Sequence, residues 1–210
     1  MSEPAASKPQ SPLRRAILVL VVAVTVFTLG AIGFMISVVS SFGPADAVLA
    51  CTTDSYRVSR ALSCWWAKGP ADIDPNAPVF DDEMTVFMFT LNGYGLESGL
   101  DLADHNARVL DLLGHWSDDV DWSLTDQLGL TPLHAAVLHN DPDLVAALLE
   151  MGAPEDLTAG DAMDTFAGLT PAEMVEALHT HTRGSETMDT PEQNARRQAI
   201  ADHLGATLPE

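Results

Sequence analysis

Positive charge is scarce in this sequence of 210 residues, which has ten Lys and Arg against thirty Asp and Glu and a formal net charge of −20. Lys8 and Lys68 are the only lysines. Because nucleic-acid binding depends on cationic contacts with phosphates, this composition argues against a DNA- or RNA-binding protein. Two explanations of the acidity stay open. One is adaptation to high salt, where carboxylates keep a surface hydrated, and the other is association with a basic partner.

Sequence motifs of catalysis are also missing. The chain has no G-x-S-x-G, no P-loop and no H-E-x-x-H, and Gly93, Gly95 and Gly99 have the wrong spacing for a dinucleotide loop. The seven histidines are scattered, and although His179 and His181 lie two positions apart, no third metal ligand is assignable from the sequence. We therefore expect neither an enzyme nor a bound metal or cofactor.

Charge is absent altogether from Ala16 to Val39, a run of 24 mostly apolar residues. A helix needs roughly 20 apolar residues to cross about 30 Å of hydrocarbon, so the run predicts one transmembrane helix. A cleaved signal peptide is the alternative, with faint cleavage-site patterns at residues 45–47 and 48–51. Signal-peptide cores are typically about 7–15 residues long, and both patterns lie beyond the end of the run, so an uncleaved anchor is favoured.

The charges that flank this run predict its orientation. Residues 1–15, the predicted cytoplasmic tail, carry a net charge of +2, whereas the chain beyond Val39 has 7 basic and 29 acidic side chains. Residues 1–13 of this tail, rich in Ser, Pro and Ala, are expected to be disordered. By the positive-inside rule the N-terminus lies in the cytoplasm and the remainder of the chain faces outwards. For a bacterial protein, which the compact layout suggests, this means an inner-membrane anchor and a periplasmic domain.

Only two cysteines are present, Cys51 and Cys64, and both fall on the predicted outer side. Because oxidising compartments favour disulfides, we expect a bridge between them, with two separate thiols as the alternative. Residues 40–80 are predicted to be a linker that contains this bridge and a short helix from about Tyr56 to Trp66.

An internal repeat marks the region from residue 81 to residue 207. Residues 129–132, Gly-Leu-Thr-Pro, recur as residues 168–171, 39 positions later. Each copy predicts a helix start, because Thr is a good N-cap and Pro suits the first helical position. Glu173 completes the pattern of a capping box with Thr170.

The first copy begins a predicted helical hairpin. Its first helix includes residues 133–138 and ends at Asn140, a residue that tolerates a left-handed backbone. Asp141 and Pro142 then begin a second helix, whose apolar residues between 144 and 149 form one stripe.

This hairpin resembles the ankyrin repeat. The stretch LGLTPLHAAVLHNDPDLVAALLEMGAPEDL contains the T-P-L-H-x-A signature at residues 131–136 and a leucine pair before a Gly-Ala turn. Two more divergent copies flank it, with helices expected at 84–92 and about 106–113 upstream, and at GLTPAEMVEAL and 191–204 downstream. The resemblance implies an all-α domain of about three stacked repeats, whose terminal repeats act as caps.

Ankyrin repeats bind proteins through loop tips and first helices, so the resemblance implies a protein-interaction module. It also implies that the signature histidine, His134, stabilises the Thr-Pro turn. Mapped position by position, the exposed variable residues of the clear repeat and of the last repeat are Gln127, Leu128, Leu130, Leu138 and His139, and Phe166, Ala167 and Leu169.

The resulting hypothesis is a membrane-tethered scaffold or assembly factor that holds a protein partner in the periplasm. Two alternatives stay open. One is an immunity or inhibitor protein that neutralises a periplasmic toxin or hydrolase, for which an acidic face would suit a basic target. The other is a supporting role in oxidative-stress defence.

Overall fold

The computed structural model describes residues 12–39, 43–53, 57–79, 84–95, 102–162 and 164–209. The chain divides into two compact units, one up to Ser41 and one from Phe42 to Glu210. The described residues are mostly helical. The helices are α1 (Pro12–Val39), α2 (Pro44–Thr53), α3 (Arg57–Ala67), α4 (Val86–Asn92), α5 (Leu102–Trp116), α6 (Pro132–His139), α7 (Pro142–Glu150), α8 (Pro171–Thr182) and α9 (Pro191–His203), and the strands are β1 (Pro78–Val79) and β2 (Met84–Thr85).

The first unit contains α1, a helix of 28 residues that includes the uncharged run of the sequence. Phe27 and Phe34 on this helix are 79% and 72% exposed. Counting only the residues that the structure describes, no helix is both long enough and apolar enough to cross a membrane. Residues 1–11 of the predicted tail lie outside that description, as do the side chains at positions 12–19, 23, 32, 35–36 and 38–39. The span expected over residues 16–39 therefore stays a prediction.

In the described part of the second unit, three helical hairpins follow one another, as three stacked repeats require. The hairpins are α4–α5, α6–α7 and α8–α9. The first helices of the hairpins pack side by side in the order α4, α6, α8, and α7 packs against α9. One continuous apolar core results, because every hairpin supplies almost fully buried side chains to it. Examples are Leu91, Leu112, Leu133, Leu148, Met174 and Ile200.

Residues at the helix ends explain where the helices of the central and last hairpins begin and stop. Asn140 ends α6 in the left-handed conformation, with φ of 53°. The Asp141 Oδ1 atom then accepts a hydrogen bond from the Leu144 N–H at 3.2 Å and so caps α7. Thr170 and Glu173 form the expected capping box at the start of α8.

The segment predicted as a linker, residues 40–80, contains the expected short helix as α3 and an additional helix, α2. The two helices pack against each other, and α2 also packs against α4 and α5. Ala47 and Val48 of α2 are only 1% and 2% exposed, because they join the core of the second unit. The compact unit thus begins at Phe42 rather than near residue 81. The sequence does not reveal this, since the surface that buries α2 comes from helices much later in the chain.

A disulfide and a buried histidine attach α2 to its neighbours. Cys51 of α2 is bridged to Cys64 of α3, the pairing that the sequence predicts. His105 of α5 is 1% exposed, and its Nδ1 and Nε2 atoms lie 3.0 Å and 2.8 Å from the carbonyl oxygens of Thr52 and Gly93. Because these carbonyls stand at the ends of α2 and α4, one imidazole ring joins three helices.

Two short strands and shifted helix boundaries are the other differences from the all-α prediction. Strand β1 pairs antiparallel with β2, with Pro78 opposite Thr85. Helix α4 therefore begins at Val86 instead of residue 84, capped by the Thr85 hydroxyl. Helix α5 begins at Leu102, earlier than expected, and α9 ends at His203.

Candidate functional site

The loop before α6 is held in one conformation by its own backbone and by Asp126. The Gly129 N–H donates to the Asp126 carbonyl at 2.9 Å, and the Asp126 N–H donates to the Leu130 carbonyl at 3.0 Å. The Asp126 Oδ1 atom accepts hydrogen bonds from the N–H groups of Leu128 and Leu130, each at 2.9 Å. These bonds fix the loop tip, where Leu128 lies.

The loop tips before α6 and before α8 are in direct contact. The Gly160 N–H donates to the Gly129 carbonyl at 2.7 Å. Gly129 has a positive φ of 74°, and a Cβ atom at this position would lie 3.1 Å from the Gly160 Cα. A side chain at Gly129 is therefore disfavoured both by the backbone angle and by the close approach of the neighbouring loop.

His134 connects the same two loops. Its Nε2–H group donates to the Leu169 carbonyl at 2.9 Å, which leaves Nδ1 to accept from the Thr131 hydroxyl at 2.6 Å. Burial lowers the pKa of His134, although the bond to the Leu169 carbonyl opposes this shift, so the ring is neutral near pH 7. Thr131 is the N-cap residue of α6, as expected, but its hydroxyl is bonded to His134 rather than to a backbone N–H of the helix.

A cavity of about 180 Å³ lies between the loop tip and α6. Leu128 and Leu138 at its edge are 38% and 41% exposed. Leu130 was also expected to be exposed, but it is only 1% exposed and forms part of the cavity wall, because its side chain packs into the core. The cavity is lined by all five residues predicted in the clear repeat, Gln127, Leu128, Leu130, Leu138 and His139, together with Met84, Asn92, Asp126 and Ala135.

A second cavity, of about 220 Å³, adjoins the first at Leu138 and His139, which line both. Met188 in its lining is 51% exposed. Asn140 and Gln193 also line it, and the Asn140 side-chain amide donates to the Gln193 side-chain oxygen. We call these two cavities together the α6 groove. The remaining residues that line the second cavity are Val137, Val175, Leu178, Thr182, Thr187 and Arg197.

Sequence reasoning missed the contribution of Met188 and Gln193 to the groove. Residues 179–189 were interpreted as an insert between two predicted helices, and Met188 was not among the candidate residues. Gln193 falls on the predicted last helix, but its position relative to α6 depends on how the hairpins stack. No local sequence signal places either residue beside Leu138.

The residues predicted near the start of α8 lie outside the α6 groove. Phe166 is 5% exposed and belongs to the core, so its expected exposure is wrong. Leu169 is half-buried and lines a separate shallow depression with Leu208. Ala167 is partly buried as well. The loop tip turns inwards here because the Gly168 N–H donates back to the Ala159 carbonyl at 2.9 Å.

The electrostatics of the α6 groove are set by the shortage of positive charge. Among the described residues that line its first cavity there is no Lys or Arg. Arg197 lines the second cavity but is 5% exposed, and its guanidinium donates to the Asn194 Oδ1 atom at 2.9 Å and to the Met188 carbonyl. Partial burial lowers the pKa of His139 while Asp141 opposes the shift, so this ring is also neutral near pH 7.

The scattered histidines offer no metal site in the part of the chain that the structure describes. Within it, no group of three or more His, Cys, Asp or Glu side chains is arranged to hold an ion. The pair His179 and His181 thus adds no evidence for metal chemistry.

Comparison with known proteins agrees with this geometry for the central hairpin. The family model of the ankyrin repeat matches residues 128–161, which run from the tip of the first loop through α6 and α7 to the tip of the next. Among curated proteins, none matches this chain. The contact between Gly129 and Gly160 and the bond from His134 to the following loop lie in or next to the matched segment. The α6–α7 hairpin with its loop tips is therefore similar to an ankyrin repeat, within a mostly helical chain.

Proposed function

We propose that this chain is a membrane-tethered scaffold or assembly factor that binds a protein partner through the α6 groove. The observation that carries the proposal is the cavity at whose edge Leu128 and Leu138 remain 38% and 41% exposed. Apolar side chains grouped around a concavity indicate a contact surface, whereas singly scattered ones do not. Ankyrin repeats are interaction modules that are generally not enzymatic, which agrees with this role.

The rigidity of the groove supports binding to a partner. Asp126 holds the loop tip through two backbone N–H groups, and His134 ties that loop to the next one. A surface that is already ordered loses little conformational entropy when a partner binds, so more of the contact energy appears as affinity.

The proposed tether and location rest on the sequence. The uncharged run over residues 16–39 is long enough for a helical anchor, and the basic side chains before it favour a cytoplasmic N-terminus. The bridge between Cys51 and Cys64 supports an oxidising compartment for the second unit. Together these features favour the inner membrane of a bacterium, with the repeat domain in the periplasm.

Capture of the partner from native membranes tests the binding role. The full chain is crosslinked in its own membranes and purified, and the proteins that accompany it are identified by mass spectrometry. We expect one dominant partner that is lost when Leu128→Asp and Leu138→Asp are combined. Leu102→Asp is the matched control, because Leu102 is 46% exposed on α5 and lies outside the α6 groove. A partner that both variants retain contradicts the groove as the contact surface.

The identity of the partner separates the possible roles. An envelope protein supports the scaffold or assembly role, and a secreted toxin or hydrolase supports an immunity protein. A catalase or peroxidase supports a role in oxidative-stress defence.

Alkaline extraction of membranes tests the tether independently of the partner. The full chain is expected to stay in the membrane pellet, and a chain that begins at Phe42 is expected in the supernatant. Release of the full chain into the supernatant contradicts the anchor.

A further inference from the structure

We infer that the α6 groove receives a partner segment in which a Lys or Arg side chain lies next to an aliphatic or aromatic one. This inference rests on the proposed binding function and specifies the chemistry of its partner. Two observations support it. The groove has an apolar cavity of side-chain size, and the adjacent loop tips carry carboxylates that no cation of the described chain neutralises.

The first cavity of the groove has the size and lining for one or two apolar side chains. Its volume of about 180 Å³ is below the roughly 300 Å³ at which pockets for drug-sized ligands begin. Leu130 and Ala135, 1% and 4% exposed, are its most buried apolar lining residues, and the more exposed Leu128 and Leu138 stand at its edge. An aliphatic or aromatic anchor entering here would cover both exposed leucines.

Carboxylates stand beside this cavity. Asp126 is in its lining and uses Oδ1 for the loop N–H groups of Leu128 and Leu130. The bond from Gly160 to Gly129 brings the next loop tip alongside, and that loop carries the exposed Asp161 and Asp164. Two loops in contact with each other therefore both carry acidic side chains.

The ion pairs of the second unit that the structure describes involve other carboxylates. Lys68 lies beside Asp111, Arg108 beside Asp104 at i and i+4, and Arg196 beside Glu192. In the part of the chain that the structure describes, Asp126, Asp161 and Asp164 have no ion-pair partner.

Among the described residues that line the groove, no exposed Lys or Arg offsets these carboxylates. Arg197 is buried with its guanidinium donating to protein oxygens, and His139 is neutral near pH 7 because partial burial lowers its pKa. Interactions between exposed charges reach only about 8 Å at physiological ionic strength, so charges close to the cavity, such as Asp126 in its lining, contribute most to the field there. A cation beside the apolar anchor of a partner would meet that field favourably.

Selection from a random peptide library displayed on phage tests the inference with defined probes. The full chain is the target, and the combined Leu128→Asp and Leu138→Asp variant is used to remove peptides that bind elsewhere. We expect the enriched peptides to carry Lys or Arg within a few positions of Leu, Ile, Phe or Trp. Synthetic copies are expected to bind less tightly as the salt concentration is raised.

A charge-neutral variant isolates the role of the loop carboxylates. Asp126→Asn, Asp161→Asn and Asp164→Asn are combined, since Asn at position 126 keeps an oxygen for the loop N–H groups. We expect the affinity for the selected peptides to fall roughly tenfold at low salt. Asp118→Asn, Asp119→Asn and Glu150→Gln form the matched control, because they remove the same charge from exposed residues that do not line the groove, and the affinity is expected to change little.

The outcomes distinguish this inference from the proposed function. Two results overturn the inference but leave the binding function standing. In the first, the enriched peptides depend on Leu138 but have no basic residue. In the second, they bind the charge-neutral variant and the original chain equally well. Failure to enrich any peptide that depends on Leu128 and Leu138 overturns both.

Discussion

The N-terminal helix pair α2–α3 and the central hairpin α6–α7 are fixed in place by different kinds of bonds. The pair is joined by a disulfide whose cysteines are 13 residues apart, and the end of α2 is bonded to His105, 53 residues away from Thr52. In the central hairpin, by contrast, the helix starts are set by local bonds, because Thr131 bonds His134 and Asp141 bonds Leu144, three residues apart in both cases. Its long-range bonds, such as that from His134 to Leu169, connect it to the next hairpin.

This difference decides which of the two regions can be predicted from the sequence. Bonds between residues a few positions apart recur as motifs, and the turn chemistry around Asn140 and Asp141 predicts both helices of the central hairpin. Bonds between distant residues leave no local pattern, so residues 40–80 resemble a linker although α2 is part of the core. The predictions that follow test this contrast, starting with the largest expected effect.

Truncation in the core of the central hairpin should have the largest effect. Leu148→Ala removes a side chain that is fully buried, and we expect the free energy of unfolding to fall by about 4 kcal/mol because a cavity remains. Leu149→Ala, on the same helix but half-buried, is expected to cost less. Urea unfolding of the full chain measures both, and equal losses would contradict a core centred on Leu148.

Loss of the disulfide should weaken the N-terminal helix pair. Cys51→Ala combined with Cys64→Ala is expected to lower the free energy of unfolding by about 3 kcal/mol, since the unfolded chain without the bridge has more conformational entropy. Hydrogen exchange should accelerate in α2 and α3 while α6 and α7 keep their protection. Uniform acceleration in both regions would show that the helix pair and the repeat unfold as one unit.

A methyl group at the contact between loop tips should destabilise the repeat. Gly129→Ala is expected to cost about 2 kcal/mol, because it combines a left-handed backbone with a Cβ 3.1 Å from Gly160. Gly168→Ala is the matched control, since Gly168 has the same φ of 74° but no atom within 4 Å of its Cβ position, and about 1 kcal/mol is expected. Urea unfolding measures both losses. If the two variants lose the same free energy of unfolding, the close approach of the Gly160 backbone does not add to the cost at Gly129.

The smallest effect concerns pH. Burial lowers the pKa of His134 below its ordinary value of 6.5, so the unfolded chain takes up this proton at a higher pH than the folded chain. The stability that the neutral ring contributes is therefore complete above about pH 6.5 and is lost as the pH falls through the folded pKa, by at most about 1.4 kcal/mol per pH unit. In His134→Gln, the free energy of unfolding, measured by urea unfolding at several pH values, should fall less steeply below pH 6.5. The decline should not vanish, because burial also lowers the pKa of His139.

The candidate site was only partly predictable, and its residues show why. Gln127, Leu128, Leu138 and His139 were found because the repeat signature sets their position on the loop tip and first helix. Leu130 was placed correctly along the chain but wrongly at the surface, because its side chain packs into the core beside α6. In the same way, Phe166 is buried by packing that its loop motif does not encode.

The sequence by itself determined the central repeat, the paired cysteines and the long uncharged run, because each depends on residue types close together in the chain. Only the tertiary structure decided that α2 belongs to the compact unit, that Met188 reaches the groove and that the two loop tips at Gly129 and Gly160 are in contact. The physical reason is that burial and charge compensation depend on atoms that are near in space, and the stacking of the hairpins brings those atoms together from distant parts of the chain.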